Sequence, residues 1–466
     1  MPADTTTRPD PIKTQSIGII FKDVLDELRA PGPYPPGATR FSMKRTRQLI
    51  RYPLPLLLSL YEQYGPIFTI RGLHRIEVAM VGPEATHFVT VERPDLFQWR
   101  EGHFGELTPL IGDGILTTDG VYHDRARRLM MPAFHRERIE AAVAVMTEEA
   151  NRAADSWRPG ETVDVYATAR EVALRIAMRA LLGLDPDGSG RGAAAADLFE
   201  QALSYWGTDA HQRLLRGPGS PWSRMKQARR ALDEIVYGEI ARRRAEGPAS
   251  GREDILSILV ESEDEDGSRL ADEEVRDQLM TLLFAGHDTS SSTIAFLLYE
   301  LARHPDALAQ ITADGAGGQL DLAIDETLRL YPPVWLGCRR STEAFEFGGR
   351  EVPKGAYVNY FPWATQRLPE VFPDPEAFIP ERFVREQKAA LPKGAYTPFG
   401  GGSRICIGKR FGQTVVKTVA TILLQRCSYE LAPGHELRIA LQPTLSPRGG
   451  LPMIVREPVS AAADAG

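Results

Sequence analysis

Most of the chain is patterned at the helical period. In ERIEAAVAVMTEEANRAADSW, REVALRIAMRALLGL and SRMKQARRALDEIVYGEIARRRAEG, apolar residues recur every three to four positions, which predicts amphipathic helices. The longest such stretch is LADEEVRDQLMTLLFAGHDTSSSTIAFLLYELARHPD, residues 270–306. Asp272 reads as its N-cap, acids fill the first turn, and Pro305 marks the end. About 32 helical residues would measure roughly 48 Å, enough to cross a whole domain. Strand signals are short. IFTIRG followed by RIEVAMVG, near 67–82, predicts one hairpin, and FEFGGREVPKGAYVNYF, 345–361, predicts a second. YPLPLLLSLY, 52–61, predicts a short helix that is buried or lies on the surface. The expected fold is mainly α with small β-sheets, and a doubly wound nucleotide-binding pattern is absent.

No repeat or linker divides the chain. Residues 1–30 read as a loose extension, APGPYPPG at 30–37 as a stiff proline-rich entry, and 458–466 as a disordered tail. One large domain over 31–457 is therefore expected, with polar loops at 247–254 and 263–268.

Composition narrows the function classes. With 466 residues, 43% hydrophobic and 25% charged, the chain can bury a large core. A net charge of -7 gives no global case for nucleic-acid binding. SIGIIF near the start is too short for a signal or membrane segment, and no stretch reaches the length of a span, so a cytoplasmic protein is expected. Cysteines at 338, 406 and 427 make neither a disulfide framework nor a zinc site.

One of these cysteines has an unusual setting, FGGGSRICIGKRFG at 399–412. Glycines let the backbone approach a flat ligand closely. A helix is expected to begin near Ile407, which would put Cys406 at its N-terminus, where a thiolate is favoured. Arg404 offers a fixed positive charge to an acidic group of the same ligand. Phe399 would cover the sulfur side. The long helix carries a second anomaly, AGHDT at 285–289 with serines after it. A helix crossing an apolar core does not carry Asp288 and Thr289 without a reason.

Taken together, F-x-x-G-x-R-x-C-x-G and A-G-x-D-T resemble the cytochrome P-450 haem-thiolate monooxygenases, and blocks in family order run from about 31 to 456. The resemblance implies the P-450 fold, with haem b buried between the long helix and the cysteine loop. It makes Cys406 the iron ligand, with Phe399, Gly400, Gly408 and Ala285 against the haem. It makes Thr289 the residue holding a distal water and Asp288 a proton relay. His123 and Arg127, in GVYHDRARRLMMPAF, and Arg404 would face the propionates, joined by Arg339 or its neighbour Arg340. Glu326 and Arg329 in DETLRLYPP, with Arg382 in IPERF, would form a structural ionic cluster. Gln366 stands where the family more often has histidine.

The implied reaction is insertion of one oxygen atom from O2 into a lipophilic molecule, by hydroxylation or epoxidation. Fatty acid, terpenoid and steroid all remain compatible. Substrate-lining segments would be 97–114, 202–215, Leu282, Leu283 and Ala285, Pro333 to Gly337 with Val334 and Trp335, and Leu445 to Leu451. Electrons would come from a separate ferredoxin or flavodoxin with its NAD(P)H reductase. Arg125, Arg128, Lys409, Arg410 and Lys417 form either a docking face for it or an ordinary solvated face. A monomer is expected. A peroxygenase, a haem-dependent coupling or isomerising enzyme, and a non-enzymatic haem sensor or carrier are the rivals, and none of them needs the Asp288–Thr289 pair.

Overall fold

The computed structural model describes residues 32–457, apart from 73–74, 103–104, 106, 189, 209, 248–250, 253, 266 and 316, together with residues 21, 24 and 25. The expected extension and tail lie outside the described residues, save for those three positions.

The longer helices are α1 (Met43–Arg51), α2 (Leu54–Tyr64), α3 (Gly120–Met130), α4 (Arg136–Ser156), α5 (Val165–Leu182), α6 (Arg191–Gly207), α7 (Pro221–Glu246), α8 (Asp272–Arg303), α9 (Gly318–Leu330) and α10 (Lys409–Arg426). YPLPLLLSLY becomes α2, whose Leu54, Leu57 and Leu60 are buried. Helix α8 has the expected 32 residues, but its N-cap is Ala271 rather than Asp272. Glu274 reaches back to the Ala271 N–H at 2.8 Å, so the acid that caps the end lies inside the first turn. Nearly every residue of α8 from Val275 to Leu301 is buried. It packs against α5 and α10, which makes it the axis of the molecule.

A six-stranded sheet flanks the helices. It is built from β1 (Gly37–Ala38), β2 (Ile67–Arg71), β3 (Ile76–Met80), β4 (Phe97–Gln98), β6 (Gly337–Ser341) and β9 (Tyr357–Tyr360), in the order β1-β2-β3-β9-β6-β4. β2 and β3 form the first expected hairpin. The second is only half right. β7 (Phe345–Phe347) pairs with β8 (Arg350–Val352) as a small hairpin, while β9 leaves it to run parallel to β3 and antiparallel to β6. Tyr357 to Tyr360 is more hydrophobic and more buried than the hairpin tip, and it finds its partners in the larger sheet.

The ionic cluster on α9 is fully formed. Glu326 takes two bonds from Arg329, at 2.7 and 2.8 Å, and one from the Ile379 N–H at 2.9 Å. Arg329 spends its other donors on the carbonyls of Gln366, Pro375 and Ala377. Arg382 lies 3.4 Å from Glu326 and donates to Asp374 O. Gln366 ties this cluster to the cysteine segment: its amide donates to the carbonyls of Leu328 and Arg329, and its carbonyl accepts the Thr397 N–H at 3.0 Å. Glutamine, with a donor and an acceptor at one end, makes all three bonds at once.

Candidate active site

The cysteine loop hangs between that cluster and α10. The Cys406 N–H donates to Phe399 O at 2.9 Å, closing the loop on itself. Gly402 has φ +61°, and a Cβ there would collide with the Thr90 carbonyl, so only glycine lets the loop pack against that segment. Helix α10 begins at Lys409, two residues later than expected, because Gly408 forms the turn before it.

Cys406 faces an internal cavity of about 1080 Å³. Burial raises its thiol pKa, and the Gly408 N–H, Arg127 and Lys409 only partly offset this. The helix N-terminus therefore does not make a thiolate by itself. Deprotonation falls to whatever cation the sulfur binds.

Cations gather on the same side of the cavity. Arg404 donates to Thr118 O and to Asp119, both at 2.8 Å. Burial draws its pKa down to about 10, with Arg339 and Arg127 adding to the effect. Arg339 is wholly buried and has no carboxylate at ion-pair distance among the described residues; its guanidinium stacks on Trp99 at 3.5 Å. Arg340 points to the other face of β6 and lies over Tyr357 at 4.2 Å, away from this group. Trp99, rather than Arg339, forms the cavity wall there, beside His123, Arg127 and Arg404. A buried cluster of positive charge with so little internal compensation calls for an anion.

His123 is drawn down to about 4, first by burial and then by Arg404, while Asp124 at 2.8 Å pulls the other way. A histidine with a folded pKa below its unfolded value stabilises the chain fully above about 6.5, and the contribution is lost as pH falls toward 4. In the haem-free chain, the loss by pH 4 should reach about 3 kcal/mol. Urea midpoints of His123→Gln should fall less steeply over that window than those of the native chain.

The opposite wall is α8. Thr281, Leu282, Ala285, Gly286, Thr289 and Thr293 line the cavity, at helical spacing. The Thr289 hydroxyl donates to Ala285 O at 2.7 Å. Leu283 does not line it. It points to the other side of the helix and is 0% exposed in the core. Asp288 is also turned from the cavity. Its carboxylate takes Arg170 at 2.8 Å and the Thr444 hydroxyl at 2.5 Å. Arg170 continues to Glu200 at 2.7 Å, and His287 Nε2 lies 3.2 Å from Glu200. Against burial, which raises it, His287 and Arg170 hold Glu200 at about 2. Thr444 alone joins Asp288 to the cavity wall. Nothing in the sequence pointed to Arg170, Thr444, Asp119 or Trp99 individually, because each is paired across a long stretch of chain.

The other lining segments fall close to their expected places. Trp99 and Leu107, then Trp206, Gly207, Thr208, Arg213 and Leu214, and Pro333 to Leu336 with Val334 and Trp335, all line the cavity. The segment near the C-terminus is displaced: Ile439 to Thr444 and Arg448 line it, whereas Leu445 and Leu451 are 0% exposed core residues. The expected basic face is largely neutralised. Arg125 pairs with Glu274 and Asp264, Arg128 with Asp264, and Lys417 with Asp321. Lys409 lies over the Phe399 ring and Arg410 is exposed.

These residues fit a flat, acidic prosthetic group held through sulfur: a cysteine open to the cavity, cations beside it, and a helix face with Ala285, Gly286 and Thr289 opposite. Such a fold and site define a haem-thiolate protein. The family model for Cytochrome P450 matches residues 35–317 and 318–452, and the chain belongs to the cytochrome P450 family. It is a monooxygenase of that family. It is 33% identical over 408 residues to cytochrome P450 135B1 of Mycobacterium tuberculosis, covering 84% of each chain. It is 33% identical over 416 residues to cyclooctat-9-en-7-ol 5-monooxygenase of Streptomyces melanosporofaciens, covering 84% of this chain and 88% of the relative. The solved structure of retinoic acid-bound cyanobacterial CYP120A1 superposes with TM-score 0.79 at 26% identity, over 91% of this chain and 99% of that one. No helix among the described residues is long and apolar enough to cross a membrane.

Proposed function

We propose that the chain holds haem b through Cys406 and inserts one atom of O2 into a lipophilic substrate of terpenoid type. The observation that carries this is a single cavity with Cys406 on one wall and Thr289 on the other. Bound haem would supply oxygen activation through its thiolate-ligated iron. Arg127, Arg404 and His123 would hold its carboxylates, with Arg339 adding charge from behind Trp99. The lining is mainly apolar, which suits a lipophile and excludes water from the reacting face. Cyclooctat-9-en-7-ol 5-monooxygenase and the 32% identical cyclooctatin synthase, both from Streptomyces melanosporofaciens, support a terpenoid.

Protons must enter a mainly apolar chamber. The Thr289 hydroxyl holds a water over the reacting face by turning from Ala285 O. Asp288 supplies the fixed negative charge behind it, and the Thr444 hydroxyl connects that carboxylate to the cavity. Arg170 cannot give up its proton, so it orients Asp288 rather than relaying. Lys409 and Arg410 remain available to an acidic ferredoxin or flavodoxin, which would be served by its own NAD(P)H reductase.

Thr289→Ala tests the reading. The variant should keep its haem and its substrate affinity, yet convert most consumed NAD(P)H to peroxide or water instead of product. Product per NAD(P)H is expected to fall about tenfold or more, less than the ~10²-fold a direct proton donor contributes, because Thr289 acts by holding a water. Unchanged coupling would rule out the role given to Thr289. Asp288→Asn should slow turnover by about 10²-fold, again with substrate affinity retained, as a spin-state titration beside a kcat measurement would record.

A further inference from the structure

We propose that Thr46 and Asn359 form a hydrogen-bonding subsite in the cavity, built to hold a neutral hydroxyl group of the substrate; this rests on the reading of the cavity as a substrate chamber. Thr46 sits on α1 and Asn359 on β9 of the large sheet. Thr46, Ile70, Arg75, Glu77 and Asn359 all line the cavity there. Arg75 and Glu77 share one face of the β3 segment by strand alternation, and β9 runs beside β3 with Asn359 opposite Ala79.

Two polar atoms stand out. Asn359 is 2% exposed, and its Nδ2 donates to Glu77 Oε2 at 2.7 Å. Because a carboxylate only accepts, this bond fixes the amide's orientation and leaves Oδ1 as the free end. Oδ1 has no hydrogen-bond partner. Thr46 is 5% exposed, and its Oγ1 has no partner either. Other threonines inside helices behave differently: Thr281, Thr289, Thr293 and Thr327 each return the hydroxyl to the carbonyl four residues back. For Thr46 that carbonyl belongs to Ser42, and it accepts only the Thr46 N–H. Among the described residues, the only other buried side-chain atom without a partner on the cavity wall is Thr397 Oγ1, which belongs to the cysteine segment. Buried polar groups are rarely left unpaired, and two on the lining of one mainly apolar cavity mark a place where a ligand completes them.

The chemistry selects the ligand group. Asn359 Oδ1 demands a donor. Glu77 beside it repels a carboxylate. Arg75, stacked on Tyr357 at 4.0 Å, balances the charge of Glu77, so an ammonium gains little net attraction. A neutral hydroxyl suits either atom, since it can donate to Asn359 Oδ1 and can accept from Thr46 Oγ1. The substrate class sharpens accordingly, from any lipophile to one that already carries an alcohol. An earlier oxidation or hydration step must then supply it.

Spin-state titrations of the haem-loaded protein test this with matched pairs: farnesol and farnesene, cyclooctat-9-en-7-ol and its deoxy hydrocarbon, and a 3-hydroxysterol with its 3-deoxy analogue. A site built around a substrate hydroxyl discriminates strongly against the analogue that lacks it. In at least one pair the alcohol should bind about tenfold tighter or better. Thr46→Val, nearly isosteric, and Asn359→Ala should each cut that ratio at least about fivefold while leaving the hydrocarbon's Kd within about twofold. Thr46→Val removes a hydroxyl without orphaning a partner, so it stands as the test if Asn359→Ala fails to fold. No preference for any alcohol in the native protein, or a ratio untouched by Thr46→Val, would mean that water alone fills the subsite, and the inference falls. Lack of a thiolate-type haem spectrum in the native protein would instead overturn the proposed function itself.

Discussion

Cys406→Ser should abolish oxygenation while leaving the chain folded. Product formation is expected to drop by more than about 10³-fold, beyond the loss of any single supporting hydrogen-bond donor. On the proposed function the sulfur would hold the haem iron, and a serine hydroxyl neither deprotonates readily nor donates electron density as a thiolate does. The loop should survive, because its closing bond runs from the residue 406 N–H to Phe399 O and does not use the side chain. The thiolate-type Soret band should vanish in parallel. Cys427→Ser is the control. Cys427 is buried beside Tyr429 and does not line the cavity, so its variant should keep both band and activity.

The second large effect is on stability. Glu326→Ala should lower the free energy of unfolding by about 3–5 kcal/mol, the cost of leaving a buried charge unpaired. Glu326 and Arg329 are both 0% exposed, and the Arg329 donors that face Glu326 have nothing else to turn to. The damage should reach the active site as well. Arg329 and Gln366 together bind the irregular segment 366–377 to the Thr397 N–H, so a loosened α9 frees the cysteine loop. Urea unfolding followed by fluorescence and by haem absorbance would show both midpoints falling together. A variant that unfolds at the native midpoint would contradict the role given to the cluster.

Where the chemistry is local in the chain, the sequence announced it. The glycine-flanked cysteine stands out on its own, whereas the polar break in the long helix and the Glu326–Arg329 pair take their roles only beside it, through the family resemblance. Some helix boundaries were legible to within one or two residues, and those errors have simple causes: Glu274 caps α8 from inside the first turn, and Gly408 delays α10. Others were not: α5 starts at Val165, five residues before the stretch that announced it. Long-range pairing was not legible. β9 read as the end of a hairpin, yet its partners β3 and β6 lie elsewhere in the chain. The family resemblance put Leu283 in the pocket, but the structure turns it to the other buried face of α8. The basic residues of α3 read as a free face until Asp264, from a distant loop, and Glu274, from the start of α8, arrived to neutralise them. Arg170 and Thr444 reach Asp288 from 118 and 156 residues away, a pairing no single-sequence pattern records.

The central claim is that Cys406 binds haem iron as a thiolate in a cavity that also admits a lipophile. The most direct test is one absorption experiment on the purified, haem-loaded chain: the Soret band of the reduced carbon monoxide complex, followed by a spin-state titration of the ferric protein with a terpenoid alcohol. A red-shifted, thiolate-type band and a low-to-high-spin change are the expected results. Haem bound with a histidine-type band while Cys406 is intact, or no haem bound at all, would contradict the account.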